Sequence, residues 1–434
     1  MTPTTIGLLG LAVLVVLLIS SLPVAFAMAI TGLLGFAIVR QDLAAAMSMS
    51  ATTLYETFAD YNLTVIPLFV LMGQVAFHSG ISRRLFHAAD CWMGWLRGGL
   101  AMATVGACTV FGAICGSGPA TAATMASVAL PEMKRYGYSM ELGTGTVAAS
   151  GGIGMMIPPS VVFIVYGIMT EQSIGRLFIS GILPGLLIAA LFCGTIYVQC
   201  RRRPSLCPPT RSHTWGERLQ ALSGLVEAVL LFALVMGGMF VGWFTPTEGA
   251  AVGAGGCIAL ALFQRQITWK AFVQSLKETV RTSCMVMAII GGAMVFGKFL
   301  AITRIPMDLA EWLAALPTPS WVTLAGIVVF YLIGGCFVDA LALILLTVPV
   351  FYPVMLRLNF DPIWFGVMIV LVTHMGIITP PVGVNVYVVS GMERDVPLQA
   401  VFRGALPFVL ALVVAAVLIT VFPGIALWLP GLMR

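Results

Sequence analysis

Few side chains in this sequence can do chemistry, and those that can lie in apolar surroundings. Asp339 sits in "GGCFVDALA" (334–342), inside a long apolar run. Bare charge at a bilayer centre costs about 3 kcal/mol or more, so a carboxylate there should hold a cation or carry a proton. Ser117 in "GSGP" and Ser150 in "ASGG" offer hydroxyls for a nucleophile, with His374 as base. Nothing in the spacing sets a base beside either one, and the chain has neither HExxH nor a Gly-rich phosphate loop. An intramembrane hydrolase is a remote reading. The backbone carries more. "GGIGMMIPPSVV" (151–162) and "HMGIITPPVGVN" (374–385) each set a proline pair inside an apolar stretch. Proline removes an amide donor and clashes with the preceding turn, so each pair breaks a helix. Interrupted helices expose amides that favour anions and unwound carbonyls that can hold Na⁺.

These breaks need a membrane around them. The chain has 434 residues, 60% hydrophobic and only 9% charged, whereas a soluble domain is about a quarter charged. Apolar runs of the roughly 20 residues that a bilayer span requires fill most of the sequence. The fold class is an all-α polytopic membrane protein surrounded by lipid, with no room for a large soluble domain. The nine cysteines are scattered singly without a CxxC pair, giving neither a disulfide framework nor a metal site. The net charge of +5 is no nucleic-acid signal, because the basic residues mostly flank apolar runs. The N-terminal stretch lacks a basic region and stays apolar past Pro23 to Val39, so it reads as retained spans and not as a cleaved signal peptide.

The proline pairs also align two halves of the chain. Pro158 falls on Pro380, an offset of 222, and Gly154 then meets Gly376. Pro131, Met133 and Arg135 land on Pro353, Met355 and Arg357. Further on the offset is 223, and Gly181 and Pro184 meet Gly404 and Pro407. The reading is two copies, residues 1–205 and 220–434, joined by a linker over 206–219. Loop charges set their relative orientation, since basic residues concentrate on cytoplasmic loops. Arg40–Asp60 holds one arginine and three acids, while its counterpart 265–281 holds Arg265, Lys270, Lys277 and Arg281. Corresponding loops therefore lie on opposite sides, and the copies have inverted topology. Each copy has five crossings and one re-entrant hairpin, which makes about ten transmembrane helices and two hairpins. The hairpins are 98–131, turning at "ICGSGPATA", and 320–353, turning at "GGCFVDALA". The broken helices are 144–169 and 363–391. The joining stretch, with Arg201, Arg202, Arg203, Arg211 and Arg218, is cytoplasmic, and both termini, Arg434 included, are periplasmic. Asp42–Asp60 and Thr268–Arg281 read equally as interfacial amphipathic helices or as loops. Glu248 reads as a helix cap, and Gly112, Gly181 and Gly404 read as close-packing positions.

Inverted repeats with paired breaks are the mark of a secondary transporter. The set "GSGPATA", "GIGMMIPPS", "VDALA" and "MGIITPPVGVN" resembles the large membrane subunit of tripartite ATP-independent periplasmic (TRAP) transporters, the DctM-like family, over essentially the whole chain. The resemblance implies Na⁺-coupled import of a small organic acid, typically a carboxylate, across the bacterial inner membrane by an elevator-type movement. It implies a periplasmic substrate-binding protein and a small four-helix membrane subunit as partners, no nucleic acid, no enzymatic activity, and no cofactor beyond the coupling Na⁺. One Na⁺ would lie between the first hairpin turn and the first broken helix, at Ser117, Gly118, Gly152, Gly154 and Pro158. A second would lie at Asp339, Ala340, Thr373, Gly376 and Thr379. Pro159, Ser160, Pro381 and Asn385, at or just after the proline pairs, are the candidate substrate contacts. "VDALA" lacks the glycines and proline of its partner turn and departs from the pattern there. The alternative is a carboxylate carrier of the same superfamily that works without a binding protein.

Overall fold

The computed structural model describes residues 2–20, 22–208, 214–315 and 317–433, and every regular element among them is a helix. Arg211 and Arg434 lie outside these residues. Nine described helices are long and apolar enough to cross a membrane, and four shorter apolar helices accompany them. The chain is a multi-pass membrane protein.

Two helical hairpins and two broken helices occupy the positions where the glycines and prolines fall. The first hairpin joins Gly99–Cys115 to Gly118–Arg135 through Gly116, whose φ of 66° suits glycine. The second joins Ser320–Phe337 to Ala340–Arg357 through Val338 and Asp339. Both second arms run past the prolines at which the apolar pattern stops: Tyr136 N donates to Glu132 O, and Leu358 N to Val354 O. The first broken helix consists of Met140–Gly151, one turn at Ile153–Met156, and Val161–Thr170. The second consists of Pro362–Gly376 and Val384–Met392. The Pro158–Pro159 and Pro380–Pro381 peptide bonds are both cis.

Other helices brace these elements. Val24–Arg40 packs on the 35-residue helix Trp269–Thr303 through two glycines. A Cβ at Gly32 would stand 2.8 Å from Phe296 N, and one at Gly292 would stand 2.3 Å from Ala25 O. Small residues permit this approach of backbone to backbone. The two segments that read as helix or loop are both helical. Asp42 caps Leu43–Ala59 by accepting from Ala45 N, and Thr268 caps the long helix by accepting from Ala271 N. Glu248 closes a capping box with Thr245 at the start of Pro246–Phe263.

Helix contacts come in related sets. Val24–Arg40 packs on Trp269–Thr303, and Pro246–Phe263 packs on Val65–His78. Gly99–Cys115 packs on Met140–Gly151, and Ser320–Phe337 packs on Pro362–Gly376. Val161–Thr170 packs on Ala340–Arg357, and Val384–Met392 packs on Gly118–Arg135.

Candidate functional site

The two hairpin turns face one cavity of about 380 Å³. Ser117 and Gly118 reach it from the first turn, Asp339 and Ala340 from the second. Asp339 is the one charged side chain among the described residues that line it, and much of the remaining wall is apolar. Four helices begin at this cavity, because Gly118, Val161, Ala340 and Val384 are their first residues and all line it. First-turn amides have no partner within their own helix and carry partial positive charge. The cavity therefore sets the partial positive charge of four helix starts beside a carboxylate, with Val161 N and Leu341 N among their amides already bonded, to Gly116 O and Asp339 Oδ2.

Each turn is seated on a helix break by glycine contacts and backbone hydrogen bonds. At the first junction, a Cβ on Gly116 would stand 2.5 Å from Pro159 O, and one on Gly112 would stand 2.6 Å from Gly154 Cα. Val161 N donates to Gly116 O at 3.3 Å. At the second junction, a Cβ on Gly376 would stand 2.5 Å from Gly335 Cα. Val382 N and Gly383 N both donate to Cys336 O, at 3.2 and 3.3 Å. Asp339 caps its own helix: Oδ2 accepts from Leu341 N at 3.1 Å. Ser117, at the matching position, makes no such side-chain bond.

The first junction gathers Ser117, Gly118, Gly152 and Gly154. A Cβ on Gly118 would lie 3.5 Å from Gly152 Cα, and one on Gly154 would lie 3.3 Å from Ser117 O. Pro158 and Pro159 are buried behind them, whereas Pro380 and Pro381 are exposed. Ser160 is buried and caps Val161–Thr170: its hydroxyl donates to Met155 O at 2.6 Å and accepts from Phe163 N. At the second junction Thr373 and Gly376 lie against Gly335, while Asp339 and Ala340 face the cavity. The Thr373 hydroxyl donates within its helix, 2.9 Å from Ile369 O and 3.0 Å from Val370 O, and that of Thr379 donates to Met375 O. Among the described residues no group of three or more His, Cys, Asp or Glu could hold a metal ion. A cation at either junction would meet carbonyls and hydroxyls, with Asp339 alone adding charge.

Asn385 is buried away from the cavity wall. Its Nδ2 donates to Ala148 O at 3.0 Å, and His374 Nε2 lies 2.8 Å from Ala149 O. The helix break explains these bonds. Gly152 N turns to Ala149 O, leaving Ala148 O without its usual partner one turn on. Two side chains of the second broken helix thus tie down carbonyls of the first. Among the described residues, neither Ser117 nor Ser150 is hydrogen-bonded to His374. The breaks and turns do not disclose Gln74 and Thr282, which line the cavity from Val65–His78 and Trp269–Thr303. The available signal for the first was an amide in the apolar phrase "VLMGQVAF", where a Cβ on Gly73 would stand 3.0 Å from Cys115 Cα. Thr282 carries none.

Residues 11–425 match the family model described as tripartite ATP-independent periplasmic transporter, DctM component. The chain belongs to the DctM family. It is 38% identical over 384 residues to the C4-dicarboxylate TRAP transporter large permease protein DctM of Pseudomonas aeruginosa, covering 88% of this chain and 89% of that one. It is 33% identical to the sialic acid TRAP transporter large permease protein SiaM of Vibrio cholerae, covering 96% of each chain. It is 30% identical to the ectoine/5-hydroxyectoine TRAP transporter large permease protein UehC of Ruegeria pomeroyi, covering 96% and 97%. Among solved structures, the YdaH transporter of Alcanivorax borkumensis has a similar fold, with a TM-score of 0.61 at 17% identity over 88% of this chain and 89% of that one. The curated DctM relatives are permeases named for different substrates. This chain is a TRAP large permease and not an enzyme.

Proposed function

We propose that this DctM permease imports a small organic acid, typically a carboxylate, by Na⁺-coupled symport through the cavity between the hairpin turns. The observation that carries the reading is the convergence of both turns and four helix starts on one cavity holding Asp339. Helix-start amides suit an anionic substrate group, and carbonyls freed at the breaks suit Na⁺. The family's partners follow: a periplasmic binding protein selects and delivers the acid, and a small four-helix subunit completes the membrane assembly. The chain lies in the bacterial inner membrane with both termini outside.

The related sets of helix contacts support two copies of one helix pattern, and the loop charges support their inversion. Exchanging the halves turns the contact of Val24–Arg40 with Trp269–Thr303 into that of Pro246–Phe263 with Val65–His78, and both occur. These four helices form a scaffold, and the hairpins with the broken helices form the unit that moves. Single cysteines at Glu56 and Lys277 are expected to label from opposite faces of the membrane, position 56 from the periplasm. Labelling of both from one face would remove the inversion.

Reconstitution tests the function. With an inward Na⁺ gradient, liposomes should accumulate the acid that copurifies with the binding protein only when this chain, the four-helix subunit and the loaded binding protein are all present. Omission of any one should reduce uptake to the leak rate. Robust uptake by the chain alone would instead make it a carrier that needs no binding protein.

A further inference from the structure

A second cavity, of about 280 Å³, lies at one end of the helix bundle. Three helices border it: the C-terminal end of Ile174–Arg202, the first turn of Met140–Gly151, and the second and third turns of Leu398–Val421. All three belong to spans long and apolar enough to cross the membrane, so the cavity sits where bilayer meets water. Arg202, Arg203 and Arg403 line it, with Glu141 as the only lining carboxylate among the described residues. Among the described residues none of these arginines has a carboxylate within 4.0 Å. Another basic cavity differs in this respect, since its Arg84 is paired with Glu227 at 3.0 Å. Gln199 also lines the arginine cavity, and its Nε2 is buried without a hydrogen-bond partner. Backbone closes one side of it: a Cβ on Gly404 would stand 1.9 Å from Glu141 O, so the second turn of Leu398–Val421 touches the start of Met140–Gly151 directly.

We propose that this cavity binds the phosphate of an acidic phospholipid headgroup in the facing leaflet. Guanidinium groups match phosphate with paired donors. The orphan Gln199 amide would gain an acceptor, and the surplus positive charge would be neutralised. Basic pockets between the ends of membrane helices on the cytoplasmic side recognise such headgroups. The joining stretch places Arg201–Arg203 on that side in the topology proposed above. The site would tie the start of the first broken helix to the leaflet, and it depends neither on Na⁺ nor on the transported acid.

The test uses the full chain in phosphatidylcholine nanodiscs containing a minor fraction of phosphatidylglycerol. Native mass spectrometry after partial delipidation reads the lipid that stays bound. Wild type should retain phosphatidylglycerol, and Arg202→Gln/Arg203→Gln/Arg403→Gln should retain it about 100-fold more weakly, at roughly fivefold per arginine. Glu141→Gln should tighten retention, which keeps the test open if the triple variant fails to fold. Equal retention by wild type and a folded triple variant, or looser retention by Glu141→Gln, overturns the proposal. An arm with inorganic phosphate in pure phosphatidylcholine separates the sources. Thermal protection of wild type by free phosphate, lost in the triple variant and without lipid retention, would overturn the lipid and leave a soluble phosphate as occupant.

Discussion

Gly376→Ala is expected to cut uptake by at least about tenfold, while Gly391→Ala leaves it unchanged. Overpacking a tight contact costs about 1–3 kcal/mol, and the second junction has little means to relax. The new methyl would stand 2.5 Å from Gly335 Cα and 2.6 Å from its carbonyl carbon. Those are backbone atoms and cannot rotate away. The hairpin must lift off the break, which strains the bonds from Val382 N and Gly383 N to Cys336 O beside the contact. Asp339 would shift with it, since it lies three residues beyond Cys336 at the same turn. At Gly391, in contrast, an added Cβ meets nothing within 4 Å. Gly112→Ala should reproduce the loss at the first junction, where the Cβ would stand 2.6 Å from Gly154 Cα. Uptake is measured per inserted permease, with the melting temperature as companion. Wild-type uptake by Gly376→Ala would mean that close seating of the hairpin is not needed for transport.

The parts of this site that can be read in the sequence are those written in local backbone chemistry. Proline pairs break helices wherever they occur, so both breaks stand at 158–159 and 380–381 in the sequence and in the structure. Gly116, Ser117 and Pro119 stop one helix and start another by the same local logic. Helix caps are local too, yet they have two readings. Ser160 precedes an apolar run, a position equally suited to a cap and to a binding contact, and the structure uses its hydroxyl as a cap. What cannot be read depends on which helix faces which. Gln74 and Thr282 come from unbroken helices and join the cavity through tertiary packing alone. Asn385 and His374 reach carbonyls more than 220 residues away, Ala148 and Ala149, and no spacing rule links those positions. The helix Leu43–Ala59 was ambiguous because a helix lying along an interface and a polar loop can have the same composition.

Asp339→Asn is expected to abolish Na⁺ activation of uptake while the permease still inserts and assembles. The proposed function gives this residue a second role beside its structural one, and the substitution separates the two. One is structural: Oδ2 accepts from Leu341 N at 3.1 Å and caps Ala340–Arg357. Asparagine caps almost as well as aspartate, so the fold should lose little. The other role is charge. Asp339 is the one charged side chain among the described residues lining the cavity, so no neighbouring carboxylate replaces it there. A cation at about 4 Å gains roughly 4 kcal/mol from a carboxylate at an effective dielectric of about 20. The asparagine carbonyl returns part of that. The Na⁺ concentration for half-maximal uptake should therefore rise at least about tenfold, beyond the range over which gradients can be imposed. Asp339→Ala removes cap and charge together, and its additional loss of melting temperature measures the cap, typically about 1 kcal/mol. If Asp339→Asn keeps the wild-type Na⁺ response and Asp339→Ala only lowers stability, the carboxylate serves as a helix cap. The proposed coupling ion would then be held elsewhere, with the glycine carbonyls of the first junction as the next place to test.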